Sequence, residues 1–155
     1  MRIAIAAFAI ACLTAAPVYA QQPEGPHIPV SVLNSTAAPF EVVECMAIGA
    51  PVPVSADTIK YTVRNRTSFR ADAYKMRFRY FDHNGAVAAQ EDSSWRPESG
   101  VVSGDSDSHT DYMHAGGGPN PFNSLSRATC RLQEVTFQGR TVWKYGQRWK
   151  GHLSP

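Results

Sequence analysis

The sequence lacks two features that would indicate helices or a membrane span. No segment repeats apolar residues with the 3.6-residue period of an amphipathic helix, which argues against a helical bundle and against alternating βαβ units. After the first 20 residues, no apolar run approaches the roughly 20 residues that a transmembrane helix needs. We therefore expect an all-β chain without a transmembrane segment.

An excess of charge of one sign is also missing. The chain has 15 Lys and Arg residues against 13 Asp and Glu residues. A protein that binds the phosphate backbone of nucleic acids needs a strong positive excess. Nucleic-acid binding is therefore not expected.

The sequence motifs of common catalytic sites are absent as well. There is no Gly-x-Ser-x-Gly elbow and no Cys-x-x-Cys pair, and Gly116 to Gly118 lack the lysine and the helix of a phosphate-binding loop. The paired carboxylates of a glycoside hydrolase stay open as an alternative, because their separation is a property of the folded chain. We expect a protein that is not an enzyme, has no catalytic residues and needs no cofactor.

Residues 1–20 have the three parts of a secretory signal peptide. Met1-Arg2 supplies the charge, Ile3 to Ala16 supplies the apolar core, and Val18-Tyr19-Ala20 supplies the small-residue cleavage site. A lipid anchor on Cys12 is the alternative, and it is disfavoured because Ala9 stands where such signals prefer leucine. The mature protein is expected to be exported, either to the periplasm or as a secreted protein.

Two of the three cysteines remain after this segment is removed, Cys45 and Cys130. An even pair in an exported domain predicts one structural disulfide. On the chain-entropy model, a bond that closes so long a loop stabilises the fold by about 4 to 5 kcal/mol. A redox-active or metal-binding thiol pair is the alternative, but the two cysteines lack the Cys-x-x-Cys spacing.

The stretch from Ile59 to Gly85 has the clearest strand pattern in the chain. Two runs alternate apolar and polar residues, with apolar positions at Ile59, Tyr61 and Val63 and then at Tyr74, Met76, Phe78 and Tyr80. Asn84-Gly85 supplies a hairpin turn after the second run. The connection between the runs is too short for a βαβ crossover, so the sheet is expected to be antiparallel.

Further strands are predicted on both sides of this stretch. Phe40 to Ala50 is apolar on both faces, which is typical of a strand covered on both sides, and a short buried helix is the alternative. Cys130 to Trp143 predicts a second hairpin that turns near Gly139. The spacing of its apolar residues predicts a bulge at Gln133-Glu134.

Six to eight short strands separated by glycine and proline predict an antiparallel β-sandwich of the immunoglobulin-like type, and a small β-barrel is the alternative. The β-sandwich domain is expected to span residues 40–145. It follows a proline-rich extended leader at residues 21–39, part of which packs on a sheet edge, and it precedes a C-terminal tail at residues 146–155.

Two segments of the central stretch resemble a known family. Ile59-Lys60-Tyr61-Thr62-Val63-Arg64-Asn65, followed by Phe78-Arg79-Tyr80-Phe81-Asp82-His83-Asn84-Gly85, is similar to bacterial exported immunoglobulin-like domains of the FxLYD type. There, a strand that ends in asparagine leads to one that ends in an aromatic residue, an aspartate and a turn glycine. The resemblance covers residues 59–85, and the glycine- and serine-rich stretch after Glu98 departs from it. It implies an adhesive or envelope-associated accessory module, and it carries over no catalytic residue.

The segment from Asp105 to His114 is the sharpest polar pattern. An extended strand would place Asp105, Asp107, His109 and Asp111 on one side, where they could meet a divalent cation, with His114 nearby. The other interpretation is a solvated loop or an edge strand whose charges discourage edge pairing. The spacing matches neither an EF-hand nor a zinc motif, so no metal site is predicted, and a divalent-metal-binding protein is the alternative function.

Basic and acidic residues are segregated along the chain. The basic group is Lys60, Arg64, Arg66, Arg70, Lys75, Arg77 and Arg79, and acidic residues dominate from residue 82 to residue 111. Cross-strand ion pairs between the groups are one interpretation. The other is a basic sheet face that docks an anionic envelope component or a protein. Tyr145 and Trp149 either extend this face or cap the open end of the sandwich. The leading hypothesis is an exported, non-catalytic binding or envelope-accessory protein.

Overall fold

Strands with alternating side chains form two facing sheets in the computed structural model, which describes residues 25–50, 57–113 and 121–151. The described strands are β1 (His27–Ile28), β2 (Val30–Val32), β3 (Phe40–Ile48), β4 (Thr58–Asn65), β5 (Ala73–Asp82), β6 (Val87–Trp95), β7 (Ser106–Tyr112), β8 (Leu125–Phe137) and β9 (Arg140–Lys144). A 3₁₀ turn, Pro121–Ser124, precedes β8. Within these residues, no helix has the length and apolar character needed to cross a membrane.

The strand order is that of an immunoglobulin-like sandwich. The first sheet has the order β1-β3-β4-β7, and the second has the order β2-β8-β5-β6, with β9 also paired to β8. Among these pairings only that of β2 with β8 is parallel. If β3 is lettered A, the longer strands read A-B-E in one sheet and C′-C-F-G in the other. The predicted antiparallel β-sandwich is confirmed, in place of the alternative barrel.

The two strands of the central stretch lie in different sheets, β4 in the first and β5 in the second. Residues 66–72 cross between the sheets, and the buried side chain of Asn65 organises the crossing. Its Nδ2 donates to the carbonyl oxygens of Phe69 (2.7 Å) and Val101 (2.8 Å). Its Oδ1 accepts from the backbone N–H (2.9 Å) and the hydroxyl (2.8 Å) of Thr67. The expected antiparallel pairing is confirmed, because β4 pairs with β3 and β7, and β5 pairs with β6 and β8. The short connection between β4 and β5 crosses from one sheet to the other.

The core lies between the sheets, and a disulfide crosses it. Its largest fully buried side chains come from both sheets and include Trp143, Tyr61, Tyr74, Tyr80, Phe40, Phe78 and Phe137. Cys45 of β3 is bonded to Cys130 of β8, as the cysteine pair predicts. The bond therefore holds the first sheet to β8, the strand that pairs with β2, β5 and β9 in the second sheet.

A segment that we call the N-terminal strap, residues 27–34, lies along one side of the sandwich. It belongs to the stretch expected to form an extended leader, and it contributes β1 to the first sheet and β2 to the second. Pro29 stands between the two strands, where its lack of an N–H suits a change of sheet. Asn34 then acts as a strand partner for Val42, because its Nδ2 donates to the Val42 carbonyl and its Oδ1 accepts the Val42 N–H, each at 2.8 Å.

A bulge in β3 changes which side chains face the core. The register of β3 against β4 shifts after Val42. As a result Phe40, Val42 and Cys45 are all buried, whereas strict alternation places Cys45 on the opposite face, and Val43 is 47% exposed. The expected strand is confirmed over its helical alternative, but it is not covered on both sides along its whole length, because one extra residue shifts the alternation and leaves Val43 exposed.

Both predicted hairpins are present. Asn84-Gly85 lies in the turn of residues 83–86 that joins β5 to β6, and Gly85 has a positive φ. Gln138-Gly139 joins β8 to β9, and both residues have positive φ. The pairing of β8 with β5 skips Gln133, which confirms the predicted bulge.

Candidate functional site: an arginine face on the second sheet

The outer surface of the second sheet carries a concentration of basic side chains. In β5 the buried residues Tyr74, Met76, Phe78 and Tyr80 alternate with residues that point away from the core, and β8 follows the same rule around Cys130. The outward positions form what we call the arginine face: Lys75, Arg77 and Arg79 of β5, Arg127 and Arg131 of β8, and Lys144 of β9. Asp92 and Glu134 are the carboxylates that share it.

Two of these arginines lie directly opposite each other. Arg77 and Arg131 are partners in the register of β5 with β8, a position where like charges repel. Asp92 compensates the charge of Arg77 and accepts two hydrogen bonds from it, from Nε to Oδ1 (2.6 Å) and from Nη2 to Oδ2 (2.8 Å). The hydrogen bond from Arg77, with the nearby charges of Lys75 and Arg131, lowers the pKa of Asp92 below its usual value. Asp92 therefore stays ionised and holds Arg77 in place.

Three further arginines are held by neutral neighbours. Arg79 donates its Nε to Oε1 of Gln90 at 2.7 Å. The guanidinium of Arg127 lies 4.1 Å from the ring centre of Phe81, and that of Arg131 lies 3.9 Å from the ring centre of Tyr145. Cation–π contacts and a neutral amide orient these groups without cancelling their charge. The arginine face thus presents guanidinium groups that are held in position, and its positive charges outnumber its carboxylates.

The first sheet has no comparable excess on the outward positions of its described strands. Lys60 and Arg64 of β4 point outward there, and Glu41 is the register partner of Arg64. Glu44 lies on the same strand as Glu41 and pairs with Thr62. The prediction of one basic face containing both Lys60 and Arg77 is therefore wrong, because the two residues lie on opposite outer surfaces of the sandwich. For Arg77 and Asp92, the predicted cross-strand ion pair is present.

Sequence reasoning missed Arg127 and Arg131 as members of the basic surface. The feature that could have identified them is their position between buried residues of β8, which points them outward. The register of β8 with β5 then places them beside the basic residues of β5. Tyr145 joins the face through Arg131, which is one of the two roles considered for it. Trp149 instead stacks on Phe137, with ring centres 5.3 Å apart, and its backbone N–H donates to Ala37 (2.9 Å).

The polar segment around β7 forms an edge strand. Asp107, His109 and Asp111 alternate with exposed residues on one half-buried side, as predicted, whereas Asp105 precedes the strand. Tyr74 donates its hydroxyl to Oδ2 of Asp107 at 2.6 Å, and the ring of His109 stacks 3.8 Å from that of Trp95.

These side chains are thus occupied by neighbours in the core and at its rim. In residues 25–50, 57–113 and 121–151, no three His, Cys, Asp or Glu side chains gather as a metal site would need. His114 lies outside the described residues. The alternation along β7 is therefore the part of the metal hypothesis that is confirmed, and a gathered ligand set is not found in the described part of the chain.

Comparison with protein-family models, with curated proteins and with solved structures finds no match to this chain.

Proposed function

We propose that this chain is an exported, non-catalytic binding protein that holds an acidic glycan of the cell envelope on its arginine face. The observation that carries the proposal is the opposition of Arg77 and Arg131 on neighbouring strands. Asp92 compensates Arg77, while Arg131 rests on the neutral ring of Tyr145. An anionic group bound between the strands relieves the remaining repulsion, so the ligand stabilises the face that binds it.

The shape of the arginine face favours an extended ligand with repeated carboxylates. Arg131 and Arg127 are four residues apart on β8, a distance of about 13 Å along a strand. Arg77 and Arg79 lie beside them on β5, so the guanidinium groups follow a line across an open sheet surface. The planar fork of a guanidinium matches a carboxylate with two parallel hydrogen bonds. Phe81 and Tyr145 add aromatic surface, which suits the apolar faces of sugar rings.

Export is part of the same proposal. It rests on the signal-like pattern of residues 1–20, which lie outside the described residues. The Cys45–Cys130 bond supports it, because disulfides persist in oxidising compartments such as the periplasm and the cell exterior. The resemblance of residues 59–85 to exported FxLYD-type domains supports an accessory rather than a catalytic role.

The test is a titration of the chain without residues 1–20 against polygalacturonate, followed by calorimetry at low and moderate salt. We expect binding that weakens as salt rises, because the contacts are exposed charges. The double variant Arg79→Gln/Arg131→Gln should lose affinity at least about tenfold, since a hydrogen bond to a charged group contributes about 1.5 to 3 kcal/mol.

The matched control is Lys60→Gln/Arg64→Gln, which removes the same charge from the outer surface of the first sheet. It should leave affinity within about twofold, because only long-range screened electrostatics change. Equal losses in the two double variants would show attraction to net charge rather than a site. Binding to vesicles of phosphatidylglycerol but not to polygalacturonate would replace the glycan with a lipid surface as the ligand.

A further inference from the structure

A pocket with a volume of about 350 Å³ lies at one end of the arginine face, where β5 begins. We call it the Ala73 pocket. Its lining includes residues from three neighbouring strands of the second sheet: Ala73 and Lys75 of β5, Ser94 of β6 with Arg96 just after that strand, and Glu134 and Thr136 of β8. The pocket therefore continues the outer surface on which the glycan is proposed to bind.

The register of the strands explains why the surface is hollow at this point. Lys75 lies opposite Ser94 on one side and opposite Glu134 on the other. Ala73 is the preceding outward position of β5, and Thr136 lies opposite it. The next outward positions along β5 carry lysine and arginine, whereas the side chain of Ala73 is a single methyl group. The row of long basic side chains thus ends in a space.

Two cations of the pocket are available to a ligand. Glu134 already has the ammonium of Lys144 at 3.9 Å. Among the described residues, neither Lys75 nor Arg96 forms a salt bridge or a side-chain hydrogen bond. An anionic group can bind both of them without displacing an existing partner, and the fork of Arg96 matches a carboxylate.

A fixed carboxylate stands beyond the pocket. Asp72 precedes Ala73, and its Oδ2 accepts the backbone N–H of Gly139 at 2.7 Å, in the turn that joins β8 to β9. A ligand carboxylate that continued in this direction would meet the negative charge of Asp72. In the other direction the ligand meets the guanidinium groups of the arginine face. The pocket therefore suits the end of an anionic chain better than its middle.

The remaining groups of the lining suit a sugar ring. The hydroxyls of Ser94 and Thr136 can donate and accept hydrogen bonds, and the carboxylate of Glu134 can accept them from sugar hydroxyls. Ala73 offers an apolar contact to the face of the ring. Ligand pockets range from about 300 to 1,000 Å³, so this one is small and suits a single ring.

We propose that the Ala73 pocket binds the terminal sugar of the acidic glycan, with its ring over Ala73 and its carboxylate between Lys75 and Arg96. The inference rests on the proposed function, because the rest of the glycan lies along the arginine face. It adds a direction to the bound chain and makes a chain end the feature that is recognised.

The first experiment measures how many protein molecules bind to one glycan chain. It uses calorimetry on the chain without residues 1–20, with a shorter and a longer oligogalacturonate of defined length. Both span the arginine face, and the longer one has room for several proteins side by side. We expect one protein per chain at both lengths, because each chain has a single end of the matching type. A number that rises with chain length would overturn the proposal.

Two variants locate the terminal sugar. Ala73→Ile fills the pocket with a side chain that suits a strand and leaves the charge unchanged, so affinity should fall at least about tenfold. Its matched control is Ala88→Ile, the same change at an exposed position of β6 outside the pocket, which should keep full affinity. Arg96→Gln should lower affinity at least about fivefold. Its control is Arg148→Gln, which removes the same charge from an exposed position elsewhere.

The outcomes separate this inference from the proposed function. Full affinity in Ala73→Ile would overturn the inference, and the arginine face would still stand if Arg79→Gln/Arg131→Gln loses affinity. Absence of glycan binding by the wild type would overturn both. If Ala73→Ile does not fold, Arg96→Gln decides the question, because its side chain is exposed and its loss leaves the packing of the sheet intact.

Discussion

At the scale of single residues, three tyrosines stand out because their hydroxyls lie in the core. Tyr61, Tyr74 and Tyr80 are each at most 2% exposed. Burial raises the pKa of all three, and the hydroxyl of Tyr61 shares a hydrogen bond with that of Ser93 at 3.1 Å. Ionisation of any of them would place a negative charge between the sheets. The folded state therefore requires these three tyrosines to be neutral, and alkaline solution should lower its stability.

Tyr61 gives a measurable form of this effect. Burial raises its pKa from 10.0 to about 12. A pKa that is higher in the folded state contributes stability that is complete below pH 10 and is lost as the pH rises from 10 towards 12, here about 2 to 3 kcal/mol. Urea unfolding of the wild type and of Tyr61→Phe, each referred to its own value at pH 8, should show a smaller alkaline loss in the variant. An identical pH dependence would contradict the assigned burial of this hydroxyl.

At the scale of elements, the crossing from β4 to β5 depends on Asn65. This side chain is 0% exposed and makes four hydrogen bonds within the crossing and to Val101. We expect Asn65→Ala to lower the free energy of unfolding by about 2 to 4 kcal/mol, because it leaves buried backbone groups without partners. Asn84→Ala, in an exposed turn, is the matched control and should change stability by under about 1 kcal/mol. Urea denaturation measures the stability of both variants. Similar losses in the two would contradict the role of Asn65 in the crossing.

The elements also show which parts of the fold a sequence can predict. The hairpin turns at Asn84-Gly85 and Gln138-Gly139 and the bulge at Gln133 were predictable, because neighbouring residues determine them. The assignment of β4 and β5 to different sheets was not, because it depends on contacts such as that of Asn65 with Val101, 36 positions away.

The candidate site was predictable in part for the same reason. The basic residues of β5 are visible in the sequence, but the register of β5 with β8 determines which side chains lie beside them. Arg131 meets Arg77 only because the bulge at Gln133 places it there. Lys60 and Arg64, which look equivalent in the sequence, face away on the other sheet.

At the scale of the whole molecule, the disulfide connects the two sheets across the core. Reduction, or the paired substitution of Cys45 and Cys130 by alanine, should lower the free energy of unfolding by about 4 kcal/mol, because the loop it closes spans 85 positions. Urea unfolding with and without a reductant measures the difference. Free-thiol labelling of the untreated, unfolded protein should find no reactive cysteine in the mature chain, and labelling of both residues would contradict the bond.

Basic and acidic side chains are concentrated on different surfaces of the sandwich. The arginine face covers the outer surface of the second sheet, while Glu91, Asp107 and Asp111 line the rim between β6 and β7. The two surfaces therefore carry charges of opposite sign, although the basic and acidic totals of the chain, 15 and 13, nearly cancel. The net charge of the chain therefore reveals neither the basic nor the acidic surface.

The position of β8 in the chain has a consequence for the order in which the protein can assemble. This strand lies between β2 and β5, pairs with β9 and holds one end of the disulfide, yet it begins only at Leu125. Until β8 has been synthesised, β5 and β6 can form no more than a lone hairpin, which is marginal in water. The second sheet closes only after the final strands have emerged, and most of its pairings join distant parts of the chain, which slows folding. The disulfide and the second sheet can therefore be completed only once β8 is available.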